Sequence, residues 1–251
     1  MAKENPLASN LTLEQQKNLF GNAYLNMLWH CPTDQRFPYW VHLPDCYYDE
    51  KHPHYKLLVI IHGTGCAVED YVRHAKELAD RDHVAVLAPL FPGGLIQRDD
   101  FNSYKLLSCD GVRYDQILLD MIDDMAKRYP GVETDKFFLF GHSGGGQFVN
   151  RFLFAHPEKL RACAIGAPGR PTFLNPDEDY FWGTRDFKNY FGHDVDLAAV
   201  QKVPVLVIVG ENDTKFIGDS PYGDNRVARM KSLQKTLQDH GVHTELTILP
   251  G

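Results

Sequence analysis

Apolar residues along the chain fall into two alternating rhythms. Short β-rich runs occupy 37–43, 57–61, 83–89, 136–141, 161–166, 203–209 and 244–249. Between them apolar positions return every three or four residues. Val68, Tyr71, Val72, Ala75 and Leu78 form one such set, and Ile117, Leu118, Met121, Ile122 and Met125 a second. Phe148, Phe152 and Ala155 follow Gly145, and Val227, Met230, Leu233 and Leu237 precede Gly241. Continuous apolar runs bounded by Gly and Pro suit strands buried on both faces, as in a parallel sheet. The three-to-four spacing is that of amphipathic helices. Their alternation predicts an α/β fold in one domain over 1–251, a mainly parallel sheet with helices on both faces.

Two stretches depart from the rhythm. Residues 1–36 carry Leu11, Leu13, Leu19, Leu25 and Leu28, which predict a helical lead-in with a partly apolar face. Residues 169–201 lie between two strands and hold Phe173, Tyr180, Phe181, Trp182, Phe187, Tyr190 and Phe191. Long connections in compact domains are often functional. This one is expected to be a lid-like insertion whose aromatic walls suit an apolar or aromatic small molecule.

Composition narrows the class. A hydrophobic share of 43% supports a full core. The 26 basic and 33 acidic residues give a net charge of −7 without a basic block, which argues against a nucleic-acid partner. No apolar run approaches the roughly 18 residues of a membrane span, and the first residues lack an apolar signal core. Cys31, Cys46, Cys66, Cys109 and Cys163 form no CxxC pair, and their odd number fits reduced thiols and a cytoplasmic location. His52 and His54 form an H-x-H pair without an accompanying ligand signature, so no metal site is expected.

The chemistry concentrates at Gly141-His142-Ser143-Gly144-Gly145, which follows a Phe-rich strand run and precedes a helical one. A G-x-S-x-G match is weak alone, but the strand–turn–helix context is what the motif requires. Small residues at Gly141 and Gly145 let the backbone turn sharply and hold the hydroxyl clear of the sheet. The free N–H groups of the following helix can then face an oxyanion.

With His62-Gly63 after an early strand and Gly210-Glu211-Asn212-Asp213 after the penultimate one, all in family order, the chain resembles the α/β-hydrolase superfamily over nearly its whole length. Among its members it looks most like esterases, lipases and depolymerases. The resemblance implies Ser143 as nucleophile, the Gly144 and Thr64 N–H groups as oxyanion hole, and Asp213 as triad acid, with Glu211 and Asp219 as alternatives. His62 is expected to be structural. The resemblance implies hydrolysis of an ester, or of a thioester, amide or diketone C–C bond, without metal or organic cofactor. Its histidine base belongs in the loop after the last strand. Here that strand ends at Pro250-Gly251, so the base is expected just beyond Gly251, and the chain is expected to be truncated before it. The terminal helix that normally follows is expected to be missing too, which would leave apolar sheet surface uncovered. His142, His193, His240 and His243 are the alternatives within the chain. The rival expectation is a non-catalytic ligand-binding protein on the same scaffold.

Overall fold

The computed structural model describes residues 11–49 and 54–251. Eight strands build the main sheet: β1 (Asn26–His30), β2 (Pro38–His42), β3 (Tyr55–Ile61), β4 (Val84–Pro89), β7 (Val132–His142), β8 (Leu160–Gly166), β9 (Val205–Gly210) and β10 (Thr244–Leu249). β5 (Ser108–Cys109) and β6 (Val112–Arg113) form a separate hairpin. The helices are α1 (Leu13–Phe20), α2 (Val68–Asp82), α3 (Tyr114–Arg128), α4 (Gly144–Ala155), the short α5 (Phe187–Phe191) and α6 (Leu197–Val200), and α7 (Arg226–Asp239). Strand order is β1-β2-β4-β3-β7-β8-β9-β10. β1, β2 and β4 pair antiparallel, and every pairing from β4 through β3 to β10 is parallel.

The β-rich runs and helical spacings land where the pattern put them. The lead-in differs. The leucines at 25 and 28 do not share a helix: Leu25 is buried in a 3-10 turn, and Leu28 stands in β1 opposite Trp40. Residues 26–30 alternate exposed and half-buried, the period-two signature of an edge strand. The helical part is Leu13–Phe20, started by a capping box in which the Thr12 hydroxyl accepts from the Gln15 N–H. Its buried residue is Gln16, whose amide donates to the Arg128 carbonyl at 2.8 Å, while Leu19 is exposed. Residues 1–10 of that stretch lie outside the described residues.

The two sheet faces are packed differently. Leu57, Val59, Ile61, Phe137, Leu139, Cys163, Ile165, Val205, Val207 and Val209 are buried beneath α3, α4 and α7 in one large cluster. The α4 helix is buried nearly all round, as expected of a helix sandwiched inside a core. On the other face α2 covers Ile60 and Val86 through Ala75 and Ala79. Beyond α2, an open groove of about 770 Å³ runs over Leu58, Phe140, Ala164, Ile208 and Leu249. Among the described residues no helix is long and apolar enough to cross a membrane.

Candidate active site

β7 runs straight into α4 with Ser143 between them. Ser143 is held at φ +55°, ψ −112°, a conformation rare for a residue with a side chain. Two close approaches make this turn possible. A Cβ on Gly141 would stand 2.5 Å from the Gly145 carbonyl carbon, and a Cβ on Gly145 would collide with the Ile61 carbonyl. Only glycine therefore lets α4 pack this tightly on β3 and β7. The Ser143 N–H is fixed by the Gly166 carbonyl of β8 at 2.8 Å. The side chain opens into a cavity of about 470 Å³, which Thr64 also lines.

Gly144 opens α4, so its N–H is one of the first-turn donors without an intrahelical acceptor. A Cβ on Gly144 would come within 3.0 Å of Thr64 Oγ1 and 2.8 Å of Lys105 Cε, and would overlap the Tyr104 hydroxyl. Thr64, Tyr104 and Lys105 thus converge on the residue after the serine. The loop carrying Thr64 is pinned from beneath by His62, which is fully buried. Its Nε2 accepts from the Phe91 N–H at 3.0 Å, so Nδ1 carries the proton and donates to the Gly63 carbonyl at 2.7 Å. Burial pushes its imidazole down to about 4, which keeps it neutral. Both ring nitrogens are engaged in structure, as the sequence suggests.

Asp213 lies in the turn after β9, its N–H donating to the Gly210 carbonyl at 3.1 Å. Two strand spacings separate β7 from β9, about 10 Å. The carboxylate accepts from Arg226 Nη1 at 3.0 Å and is partly screened from solvent. The alternatives are less supported: Asp219 is exposed, and exposed Glu211 accepts from the Gly251 N–H at 2.8 Å.

None of the described histidines lines the Ser143 cavity. His142 lines the opposite groove, with its imidazole held below the usual range by burial and by Arg226, against the pull of Asp213. His193 bonds the Asp194 carbonyl at a separate surface pocket. His240 caps α7, and His243 precedes β10, at the end of the sheet away from the serine turn. His156 carries a carboxylate pairing the sequence does not suggest, with Nε2 2.7 Å from buried Asp115, which Arg113 also binds. It follows α4, whose 12 residues put it about 18 Å from Ser143, so the pair is structural. His52 lies outside the described residues.

No family model and no curated protein matches the chain. Solved structures do. A poly(3-hydroxybutyrate) depolymerase from Bordetella parapertussis superposes with a TM-score of 0.72 at 19% identity, over 98% of this chain and 89% of its own. Poly(aspartic acid) hydrolase-1 from Sphingomonas sp. KT-1 gives 0.69 at 19% identity over 90% of each chain. A fluorophosphonate-binding serine hydrolase from Staphylococcus aureus gives 0.61 at 16% identity, over 90% of this chain and 89% of its own. The chain has the α/β-hydrolase fold.

In this α/β-hydrolase scaffold, the serine cavity is lined by Lys105, Arg151, Arg170 and Arg226, with Asn102, Gln147, Ile217 and Phe181 among the remainder. Of the aromatic residues in 169–201, Phe181 reaches this lining, whereas Phe173, Phe187 and Phe191 are buried in the core cluster. The four cations escape a reading of the sequence because four distant segments supply them. One signal was there: Ser143, Gln147 and Arg151 stand four apart, on one face of the helix that the motif starts.

Proposed function

We propose that this protein is a serine hydrolase that cleaves a carboxylic ester through an acyl-enzyme on Ser143. The observation that carries this is the left-handed Ser143 turn between β7 and α4, opening into a cavity beside Thr64 and the α4 N-terminus. A strained, glycine-flanked serine at a helix start is the geometry of a nucleophile elbow.

In the first step Oγ bonds to the ester carbonyl carbon as the hydroxyl proton passes to a general base. The oxyanion so formed accepts from the Gly144 and Thr64 N–H groups. One such donor contributes about 3 kcal/mol to barrier lowering in serine hydrolases. Collapse breaks the carbon–oxygen bond, and the alcohol leaves with the base's proton. Water repeats the sequence on the acyl-enzyme, releasing the acid and restoring Ser143. Asp213 orients the base. Beside the Asp213 turn, the Glu211 carboxylate accepts from the Gly251 N–H at 2.8 Å. The similarity to hydrolases in the solved structures supports the reaction class.

A fluorophosphonate probe applied to the full-length protein tests this. Mass spectrometry should find the adduct on Ser143, and Ser143→Ala should remove it. Full-length protein that resists the probe and leaves aryl esters intact would overturn the hydrolase assignment in favour of a ligand-binding scaffold.

A further inference from the structure

The cavity above Ser143 is electrostatically one-sided in a protein whose net charge is −7. Arg226 is paired with Asp213. The other three cations have no carboxylate within ion-pair distance among the described residues. Arg151 is fully buried, yet its guanidinium meets only neutral acceptors: Thr172 Oγ1 at 3.0 Å, the Lys105 carbonyl at 2.6 Å and the Arg170 carbonyl at 2.8 Å. Lys105 is 6% exposed, and its ammonium donates to the Asn102 side-chain oxygen at 2.6 Å. Asp100 is the carboxylate that acts on it, from beyond ion-pair range. Burial first, then Arg151, holds the Lys105 ammonium below its ordinary range. Arg170 is exposed at the rim.

Gathering buried cations without a counter-charge is costly unless something anionic completes the set. Arg151 ties the Lys105 and Arg170 backbones together through their carbonyls, but these bonds supply no negative charge to the cations so gathered. The cavity they share is the one that contains the candidate nucleophile. A Cβ on Gly144 would meet Lys105 Cε at 2.8 Å, so the lysine side chain passes beside the residue that follows the serine.

We propose that the substrate is an ester whose acyl part carries a carboxylate, held by Lys105 and Arg170, with buried Arg151 adding positive charge behind them, while Ser143 attacks. This rests on the hydrolase assignment for the reaction but not for the anion site. Arginine forks match a planar carboxylate in two bonds, and Lys105 supplies a point charge nearer the reacting centre. Phe181, whose ring lies 5.3 Å from the Arg151 guanidinium, closes one wall against the acyl chain.

The test has two arms on the full-length protein. In the first, 4-nitrophenyl butyrate is compared with 4-nitrophenyl hydrogen succinate, which differ in the end of the acyl chain and share a leaving group. The carboxylated ester should show a kcat/KM higher by about ten-fold or more, mainly through KM, and the advantage should shrink with added salt. Arg170→Gln should cut that preference about ten-fold, and Arg170→Lys should restore part of it. Arg170 is exposed, so these variants leave the buried Arg151 network in place. Equal or lower kcat/KM for the carboxylated ester would overturn the proposal and leave the hydrolase assignment standing. In the second arm, glutarate binding to Ser143→Ala is measured by calorimetry. Binding that Arg170→Gln weakens supports the anion site even if neither ester is turned over, a result that would sink only the hydrolase assignment. No glutarate binding in that case would overturn the anion site as well.

Discussion

The two sides of β7 end at adjacent residues and in opposite environments. Ser143 opens into a cavity walled by Lys105, Arg151, Arg170 and Arg226, over a core sealed by α3, α4 and α7. His142, one residue earlier, opens onto an apolar groove beside α2, where Leu58, Phe140, Ala164 and Ile208 are half-buried. Strand geometry aims His142 at the groove face, and the left-handed turn that follows aims Ser143 at the cavity. Adjacency in sequence therefore says little about shared chemistry here. A histidine next to a serine looks like a ready base, and the pleat places it on the wrong face.

The largest effect expected from this contrast is kinetic. Ser143→Ala should lower aryl-ester turnover by about 10⁴-fold or more, because the proposed nucleophile is lost. His142→Ala should change kcat by less than about ten-fold, because its imidazole faces the groove and not the cavity. Initial rates on the full-length protein check both. A loss of comparable size in the two variants would break the comparison and make His142 part of the catalytic set.

Next in size is a difference in packing. Leu139→Ala, at 1% exposure under α4, should destabilise the fold by about 3 kcal/mol in urea unfolding. Leu58→Ala, half-buried on the groove side, should cost about 1 kcal/mol, because solvent already reaches part of it. Equal costs would mean that the groove face is as well covered as the other.

A pH series sharpens the serine side. His62 is neutral in the fold down to about pH 4, whereas an unfolded histidine titrates near 6.5. The folded value is the lower one, so the unfolded chain binds the proton first as pH falls. The stability that neutral His62 supplies is complete above about 6.5, and about 3 kcal/mol is lost between 6.5 and 4. His62→Gln should flatten that slope, read from urea midpoints at each pH.

The smallest effect lies further from the site. Arg113 and His156 hold the Asp115 carboxyl at about 2, against the cost of burial. Its folded value is depressed, so its contribution is full above about pH 4 and is lost as pH falls toward 2, about 2 kcal/mol in all. Asp115→Asn should remove that part of the acid limb without changing ester preference, measured by unfolding and by initial rates.

Much of this molecule is legible in its residue order. Apolar runs such as 57–61 and 203–209 are unbroken because parallel strands are buried on both faces, and α2, α3 and α7 show their spacing because one side of each meets the sheet. The serine turn is legible for a similar reason: its glycines answer to close backbone approach, a local demand that leaves a local mark. The lead-in misleads because Leu25 and Leu28 stand at helical spacing by chance. Pairing with β2 decides their state, and a partner strand is not visible in five residues of sequence.

The cationic cavity belongs wholly to the tertiary structure. Lys105, Arg151, Arg170 and Arg226 are scattered through a chain of negative net charge, and composition averages them away. The fold brings them together because α4 carries Arg151 inward beneath the serine, while the 169–170 segment, the 3-10 turn before β5 and the start of α7 close around it. Sequence alone determined the strand–helix order and where the serine turn falls, since both follow from short-range periodicity and steric need. Which side of the sheet each neighbour of that turn faces, and what charge meets the serine, were decided only when distant segments packed, because Coulomb interactions depend on distance in space and not along the chain.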